Sequence, residues 1–361
     1  MRMPTRKQHY VPQIYLKAWE TRVETKSEPE KKFDGVYYFG KSDDIGDGST
    51  RETILWKPNL YTIDFQQLYM AKGCPKVYNY FVDEVFNIMR TGGPQSVYGK
   101  FGYSVIRTRR SVQKHLFDIN NWKFYYDDGK EARTAALLNR FKDLRCYLLE
   151  DSFNKFFENR WENVLRTFID EVKTAAPISA WEPNRKISEK AAKDMIEFFF
   201  MMLCRNPQFD AMGVYSWMKN FLGETFSGTQ GINELMEGIW LNDLYKMFYK
   251  ETKGFYKMAV TRASEGCHII LYEASPDAGN FITSDNPVFQ YADSEGINNA
   301  AGFCFPISPD YVLLIRKGNM PISMIDYRIA NSQMIRKLNQ LVDLHSNEII
   351  VSKEKKREKF M

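Results

Sequence analysis

The chain has 361 residues, of which 44% are hydrophobic and 15% aromatic, and its formal net charge is +5. This composition supplies a sizeable core and excludes global disorder, while the length suits one large domain or two ordinary ones. The small positive charge is compatible with an anionic partner and does not require one.

The cysteine content and the apolar runs indicate the compartment. The five cysteines are an odd number and include no close ligand pair, which is typical of reduced thiols in a cytosolic protein. No apolar stretch of signal-peptide length follows the basic N-terminus. The longest apolar run, residues 198–204, is far shorter than the roughly twenty residues of a membrane span. We therefore expect a cytoplasmic protein with no membrane association.

The first third of the chain alternates helical and extended patterns. Residues 12–19 predict a short helix with one buried side, and residues 36–40 are aromatic and β-branched enough for a strand. Residues 55–63 predict a second strand, broken at Pro58, and residues 68–90 have apolar side chains at helical spacing. The pattern of residues 98–128 assigns no element.

A helical centre follows. Apolar residues recur at intervals of three and four across 131–168, which predicts one long amphipathic helix or two in succession. Ser188 is typical of an N-cap, and the helix that it begins should end at Arg205, because the residue before Pro207 is pushed out of helical geometry. The segment 209–258 has a helical pattern again.

The last third changes to period two. We predict strands at 267–272, 281–283, 311–315 and 348–352, with a helix at 325–344. The sequence thus predicts an α+β fold in which a large helical centre, 131–258, packs with a small mixed or antiparallel sheet formed by N- and C-terminal strands. We expect a single domain over residues 1–352 and a charged, solvated tail at 353–361.

Two polar segments, residues 9–12 and 283–287, stand beside apolar elements near opposite ends of the chain. With residues 205–207 and 306–309 they follow an order that resembles a bacterial and fungal family catalogued as domain of unknown function 4238, over nearly the whole chain. The residues that carry the resemblance are Lys7, His9, Tyr10, Val11, Pro12, Tyr15, Leu16, Arg205, Pro207, Asn339 and those of 281–287, 306–309 and 349–352. Asn206 and Ile307 depart from the family pattern without touching an ionisable group. The resemblance implies a shared fold and no particular activity, so function must come from the site.

A candidate catalytic set comes from these motifs. The imidazole of His9 can act as proton donor and acceptor near neutrality, and a carboxylate such as Asp285 could fix its tautomer. The planar fork of Arg205 fits a phosphate or a carboxylate. Each residue also has a structural alternative. His9 could anchor the N-terminus and Asp285 could be a turn residue, and these alternatives are as open as the catalytic ones. For Arg205 the default is the structural role, as a partner of its own helix end.

The remaining polar residues of the motifs are candidates for substrate binding. They are Lys7, Tyr10, Tyr15, Ser284, Asn286 and Asn339. One carboxylate is too few to support a metal site, so the cofactor is left unknown and a divalent metal unsupported. The basic cluster at 107–110, with Lys114 and His115, gives weak support for nucleic acid, although short charge runs are usually solvated faces.

The leading hypothesis is an intracellular hydrolase of a phosphate-containing substrate, with nucleic acid favoured, which would make it a nuclease or another phosphoester hydrolase. His9 would be the acid or base, Asp285 its orienter and Arg205 the anion clamp. The alternatives are a module that binds nucleic acid or a protein partner, including its own copy, without catalysis, and a sensor of a small anionic ligand. A role in bacterial defence would suit the family, and no residue demonstrates it.

Overall fold

The computed structural model describes residues 7–63, 74–91, 95–132, 134–179, 182–207, 209, 229–249, 254–295 and 300–361. The chain divides into two compact units. The first comprises Met1–Gln8, Pro58–Lys155 and Gly213–Met258, and the second His9–Lys57, Phe156–Met212 and Ala259–Met361. Helices and strands occur in both, which confirms the α+β class.

The described elements are numbered in chain order. The strands are β1 (Lys7–His9), β2 (Thr21–Val23), β3 (Phe33–Gly40), β4 (Asp47–Ser49), β5 (Trp56–Pro58), β6 (Val97–Phe101), β7 (Ser104–Ile106), β8 (Lys123–Tyr126), β9 (Pro177–Ser179), β10 (Glu182–Lys186), β11 (His268–Ala274), β12 (Thr283–Ser284), β13 (Phe289–Tyr291), β14 (Gly302–Ser308), β15 (Tyr311–Arg316), β16 (Met324–Ala330) and β17 (Ile349–Ser352). The helices are α1 (Gln13–Leu16), α2 (Pro75–Thr91), α3 (Arg109–His115), α4 (Thr134–Phe156), α5 (Trp161–Thr174), α6 (Glu189–Arg205), α7 (Thr229–Phe248), α8 (Phe255–Glu265) and α9 (Ser332–His345).

The first unit contains helices α2, α3, α4 and α7 and a small antiparallel sheet of order β7-β6-β8. Phe81 of α2 is fully buried and meets Tyr245 of α7 edge-on, with ring centroids 4.9 Å apart. Phe124 of β8 lies 5.7 Å from Phe141 of α4. The apolar faces of the helices therefore pack on one another and on one face of the sheet, where each aromatic side chain contributes about 1.5–3 kcal/mol by burial.

The second unit contains two sheets. Seven strands have the order β13-β14-β15-β11-β16-β10-β9, in which β11 and β16 are parallel and the other pairs antiparallel. The other sheet has the order β12-β17-β3-β2, with β4 also paired to β3. Its β3 and β17 are antiparallel and place Phe39 opposite Ile350, so a strand from the N-terminal third pairs with the last strand of the chain.

The core of this unit joins both sheets to helix α9. One buried cluster contains Phe39 and Ile350 from one sheet, Ile270 and Leu314 from the other, and Leu338 from α9. Helix α9 buries the side that carries its apolar residues, as its spacing of three and four predicts. This helix and β17 bring the C-terminal segment against the turn that follows β12.

Several predicted elements are confirmed. Ser188 caps α6 by accepting a hydrogen bond from the Ala191 backbone N–H, and Asn206 leaves helical geometry with φ −73° and ψ 132° ahead of Pro207. The apolar stretch from residue 131 forms the two helices α4 and α5. Residues 68–73 of one predicted helix and 210–228 of another lie outside the described residues.

Other predictions require correction. Residues 324–330 form strand β16, and the helix begins only at Ser332, after the Asn331 side chain caps it through the Met334 N–H. Ile325 and Ile329 have helical spacing, but pairing with β10 and β11 imposes the strand and leaves Ile329 57% exposed. In the predicted strand 55–63, only residues 56–58 are extended in β5.

The C-terminal tail is charged but not wholly solvated. Arg357 Nη2 donates to Asp343 Oδ2 over 2.6 Å, and its backbone N–H donates to the Asp44 carbonyl. Phe360 is 2% exposed and meets Phe39 edge-on at 5.2 Å. Its aromatic surface therefore anchors the end of the chain in the core of the second unit.

Candidate functional site

The N-terminal motif begins with a buried residue that the sequence interpretation missed. Gln8 is fully buried in the first unit, where its amide nitrogen donates to the Cys146 carbonyl and its amide oxygen accepts from the Tyr61 N–H over 2.6 Å. A long polar side chain buried in this way serves two backbone groups that would otherwise lack a partner. Gln8 gives no distinctive sequence signal, because glutamine is ordinarily exposed.

His9 follows at the start of the second unit and is half-buried. Gln13 Nε2 lies 3.4 Å from both ring nitrogens, so this contact selects neither tautomer. Tyr10 donates its N–H to the Leu55 carbonyl at 3.2 Å, and Lys57 Nζ lies 6.0 Å from the centroid of the Tyr10 ring. The segment therefore presents an imidazole, a phenol and a cation at the partly exposed surface of the unit.

Arg205, the last residue of α6, is buried and binds the backbone of this segment. Its side chain is 1% exposed, Nη2 donates to the His9 carbonyl over 2.6 Å, and Nη1 donates to Glu158 Oε1 over 2.8 Å. Both amino groups of the fork are therefore engaged by protein oxygens. A buried guanidinium whose two terminal amino groups are both engaged by protein oxygens suits a positioning role.

Asn206 connects the same helix end to the second motif. Because Pro207 forces Asn206 into an extended conformation, its side chain leaves the helix, and Nδ2 donates to the Asp285 carbonyl over 2.8 Å. Consecutive residues thus bind the backbone of the two motifs, Arg205 at His9 and Asn206 at Asp285. We call this arrangement the clasp: Arg205, Asn206, Glu158 and the carbonyl groups of His9 and Asp285.

The Asp285 carboxylate is 4% exposed and faces the turn between α9 and β17. It accepts backbone N–H groups from Asn347 at 2.8 Å, Glu348 at 2.7 Å and Ile349 at 3.2 Å. Burial raises the pKa of the Asp285 carboxyl above its ordinary value, against these three bonds, which lower it. The carboxylate is used to fix this turn, and it does not orient the His9 ring by a direct hydrogen bond.

The neighbours of Asp285 complete the same turn. Ser284 is fully buried, and its hydroxyl bonds both the N–H and the carbonyl of Asn286 at 3.1 Å. Asn286 Nδ2 in turn donates to the His345 carbonyl at 3.0 Å. These contacts hold the start of β17 and the end of α9 against the turn, which is a structural use of all three side chains.

Two further predicted binding residues lie in the core. Tyr15 is 1% exposed, and its hydroxyl contacts Thr283 Oγ1 and the Pro306 carbonyl, each at 2.6 Å. Burial raises the pKa of Tyr15 well above its ordinary value, although the hydrogen bond with Thr283 lowers it, so the phenol stays protonated. Asn339 is fully buried and bonds three backbone groups, the Ile282 N–H and the carbonyls of Asn280 and Phe360.

A cleft beside the Asp285 turn contains a histidine–carboxylate pair that the sequence interpretation missed. His345 Nε2 lies 3.2 Å from Glu295 Oε2, and its ring stacks on Phe289 with centroids 4.6 Å apart. Asn286 and Asn347 also line the cleft. The fifty residues between histidine and glutamate leave no local signal in the sequence. Within the described part of the chain, no lysine or arginine lines this cleft.

Two other groups of ionisable side chains in the second unit are satisfied internally. Arg328 binds both oxygens of the buried Asp326, which also lies 3.1 Å from His268 Nε2. Glu273 accepts hydrogen bonds from Lys173, Tyr311 and Tyr327. Burial raises the pKa of the Glu273 carboxyl, but these bonds outweigh it, and the pKa lies below its ordinary value.

The structure therefore brings the two polar motifs together through Arg205 and Asn206. Among the predicted catalytic residues, His9 is partly exposed, while Arg205 and Asp285 are buried and bonded to protein groups. Within the described ranges, no cluster of three histidine, cysteine, aspartate or glutamate residues has the arrangement of a metal site. The helices in those ranges also include none with the length and apolarity to cross a membrane.

Comparisons with curated proteins and with solved structures give no significant match. A family model does match, and it covers nearly all of the chain, including both polar motifs and the clasp. The match extends over residues 7–356, and the chain belongs to the family described as protein of unknown function (DUF4238).

Proposed function

We propose that the chain is a hydrolase of phosphate-containing substrates, with nucleic acid as the favoured class and His9 as its general acid or base. One observation carries the proposal. The His9 backbone is fixed by the buried Arg205 fork, while the residue itself stays partly exposed. A histidine whose backbone is fixed and which is still partly exposed to solvent is suited to proton transfer with a bound substrate.

The roles of the other two predicted catalytic residues change. Arg205 is 1% exposed and already bonds two protein oxygens, so it acts on His9 by position and not as an anion clamp. Asp285 fixes the turn before β17 by three N–H bonds. We assign both as positioning residues, because neither presents a group to solvent.

The local charge favours phosphate at His9 over the alternative histidine. Lys57 lies beside Tyr10, which follows His9 in the chain, whereas Lys7 is exposed and belongs to the first unit. The cleft at His345 instead holds the carboxylate of Glu295 and has no cationic lining residue among those described. A dianionic or polyanionic substrate is therefore attracted to the surroundings of His9 and repelled from the cleft at His345.

In the proposed reaction, His9 accepts a proton from the attacking water or hydroxyl group, or donates one to the leaving oxygen. General acid–base catalysis of this kind contributes about 10²–10⁴-fold to a rate. The non-enzymatic alternatives, a binding module or a sensor of a small anionic ligand, use the same accessible surface without turnover. A measurement of turnover distinguishes these alternatives from the hydrolase, whereas a measurement of binding does not.

The test is turnover by the purified chain on single-stranded RNA, single-stranded DNA, duplex DNA and free nucleotides, each with Mg²⁺ and with a chelator. We expect His9→Ala to lower the rate at least about 100-fold while circular dichroism and thermal denaturation stay close to those of the parent. We also expect the pH–rate profile of the variant to lose the limb that a histidine acid or base contributes.

His345→Ala is the competing variant, because it removes the histidine that pairs with Glu295 in the other cleft of the second unit. Absence of turnover by the parent chain on the whole panel contradicts the proposal. So does full activity of a folded His9→Ala variant, or loss of activity in His345→Ala alone.

A further inference from the structure

The first unit carries a sheet whose two faces differ sharply. On one face, Ile106 and Phe124 are fully buried opposite Gly99, where an added Cβ would meet Trp122 at 3.0 Å. This face is the one that packs in the core of the unit. Because side chains alternate along a strand, the neighbouring positions of β6, β7 and β8 form the other face.

The outward face is built from aromatic rings and cations. Tyr98 lies directly opposite Tyr125, with ring centroids 5.8 Å apart and an interplanar angle of 28°. The Arg107 guanidinium carbon lies 3.8 Å from the centroid of Tyr98, and Lys100 Nζ lies 4.6 Å from that of Tyr125. These distances are those of cation–π contacts. Tyr98 itself is only 7% exposed, so the accessible surface here is that of the two cations, since Arg107 is 51% exposed and Lys100 is also exposed.

The arrangement of charge on this face does not serve the fold. Lys100 lies directly opposite Lys123, and like charges in this position destabilise a sheet. Both lysines are exposed, and neither forms an ion pair with a described residue, whereas Arg107 has Asp127 at 3.5 Å. Residues 97–130 contain seven lysines and arginines against three aspartates, a local excess close to that of the whole chain.

An exposed aromatic residue stands at the edge of the same surface. Residues 102 and 103 connect β6 to β7, and Gly102 supplies the positive φ of +56° that a tight two-residue hairpin requires at its first position. The next residue, Tyr103, is fully solvent-exposed, and Val105, opposite Lys100, is 51% exposed. Because the Tyr103 ring is not buried, it contributes no burial energy to the stability of this unit.

We propose that the outward face of β6, β7 and β8 binds single-stranded nucleic acid. Lys100 and Lys123 contact successive phosphates, and unstacked bases lie on the Tyr103 ring and on the guanidinium plane of Arg107. Single strands offer both partners at once, a phosphate backbone and free π-faces, whereas stacked duplex bases present none to a flat sheet. The inference goes beyond the proposed function, because binding at this face requires neither His9 nor turnover.

The test is fluorescence anisotropy of the full chain with a labelled 12-nucleotide single strand, at 50 and 200 mM salt, with a duplex of the same length and a polyglutamate peptide as competitors. We expect Lys100→Glu combined with Lys123→Glu to weaken binding at least tenfold. The slope of log affinity against log salt should fall by about 1.4, that is, by about 0.7 for each phosphate contact removed. Tyr103→Ala should weaken binding about fivefold or more through lost stacking.

The matched control reverses the same number of charges elsewhere on the unit, with Lys76→Glu and Lys142→Glu, both exposed on helices. We expect it to weaken binding less than threefold. An equal loss in the control, tighter binding of the duplex, or equal competition by polyglutamate overturns the proposal. Since Tyr103 is fully exposed, its replacement does not threaten folding, and unchanged affinity in that variant also counts against it.

Binding and hydrolysis are separable in this design. If the single strand binds and the charge-reversal variant loses it while the parent chain shows no turnover, only the proposed hydrolase fails. If turnover depends on His9 but the sheet variants bind and react as the parent does, only the sheet inference fails.

Discussion

Replacement of Arg205 by methionine tests whether the clasp holds the second unit together. Methionine keeps much of the aliphatic volume, so the main effect is the loss of two hydrogen bonds, 2.6 Å to the His9 carbonyl and 2.8 Å to Glu158. Removing one partner of a buried ion pair costs about 3–5 kcal/mol. A buried carbonyl left without a donor costs about 1–3 kcal/mol. Glu158 is 22% exposed and regains some hydration, so we expect a total near 3–5 kcal/mol.

The measurement is the free energy of unfolding from urea titration, supported by calorimetry. For a domain of 150–250 residues, each kcal/mol lowers Tm by about 2–4 °C, so Arg205→Met should lower Tm by about 6–20 °C. Arg205→Lys should lose less, because lysine keeps the charge but cannot bond both oxygens with a planar fork. Arg166→Met, at an exposed position of α5, is the control and should stay within about 0.5 kcal/mol.

A double-mutant cycle with Glu158→Gln separates the pair from the carbonyl contact. We expect a coupling energy of about 1 kcal/mol or more between Arg205 and Glu158, since they are in direct contact. If Arg205→Met costs no more than Arg166→Met, or the coupling is zero, the clasp is not what fixes His9. The positioning argument for the proposed hydrolase would then lose its basis.

Two further predictions concern the polar groups of the second unit. Asn339→Leu should lower the free energy of unfolding by about 3 kcal/mol in urea titration, because three backbone groups lose their partner. Gln340→Leu, at an exposed position of the same helix, is the control and should not lower it. Equal effects of the two substitutions would contradict the structural role of Asn339. The depressed pKa of Glu273 gives stability above the ordinary glutamate pKa of about 4.3 that is lost as the pH falls through the folded-state value. Glu273→Gln should therefore lower Tm at pH 7 and flatten its decline between pH 5 and 3, and an unchanged slope would refute this.

Local rules were enough to predict some features of the site. The end of α6 follows from the proline at 207, and its beginning from the hydroxyl of Ser188, because each effect acts within a turn of chain. The sequence also indicated that the segments around His9 and Asp285 belong together. Their connection through adjacent residues of one helix end, 205 and 206, follows the same helix termination.

Long-range partners were beyond sequence reasoning. The Asp285 carboxylate meets N–H groups more than sixty residues away in the chain, and nothing in the pattern of either segment identifies the other. The strand at 324–330 was predicted as helix for a related reason. Its apolar spacing suits a helix, and only pairing with β11 and β10 determines the strand.

The contacts of the clasp separate two meanings of a polar motif. Arg205, Asn206 and Asp285 bind mainly backbone groups, and a side chain used in this way fixes a segment of chain whatever chemistry the protein performs. A catalytic group must also reach a substrate. Of these residues, His9 is partly exposed, whereas Arg205 and Asp285 are almost fully buried, so under the proposed function His9 is the group that reaches the substrate. The stability of Arg205 variants therefore tests the structural role of the clasp, and the turnover of His9 variants tests the proposed hydrolase. If the Arg205 variants are destabilised but the parent chain shows no turnover, the structural role of the clasp stands and the proposed hydrolase fails.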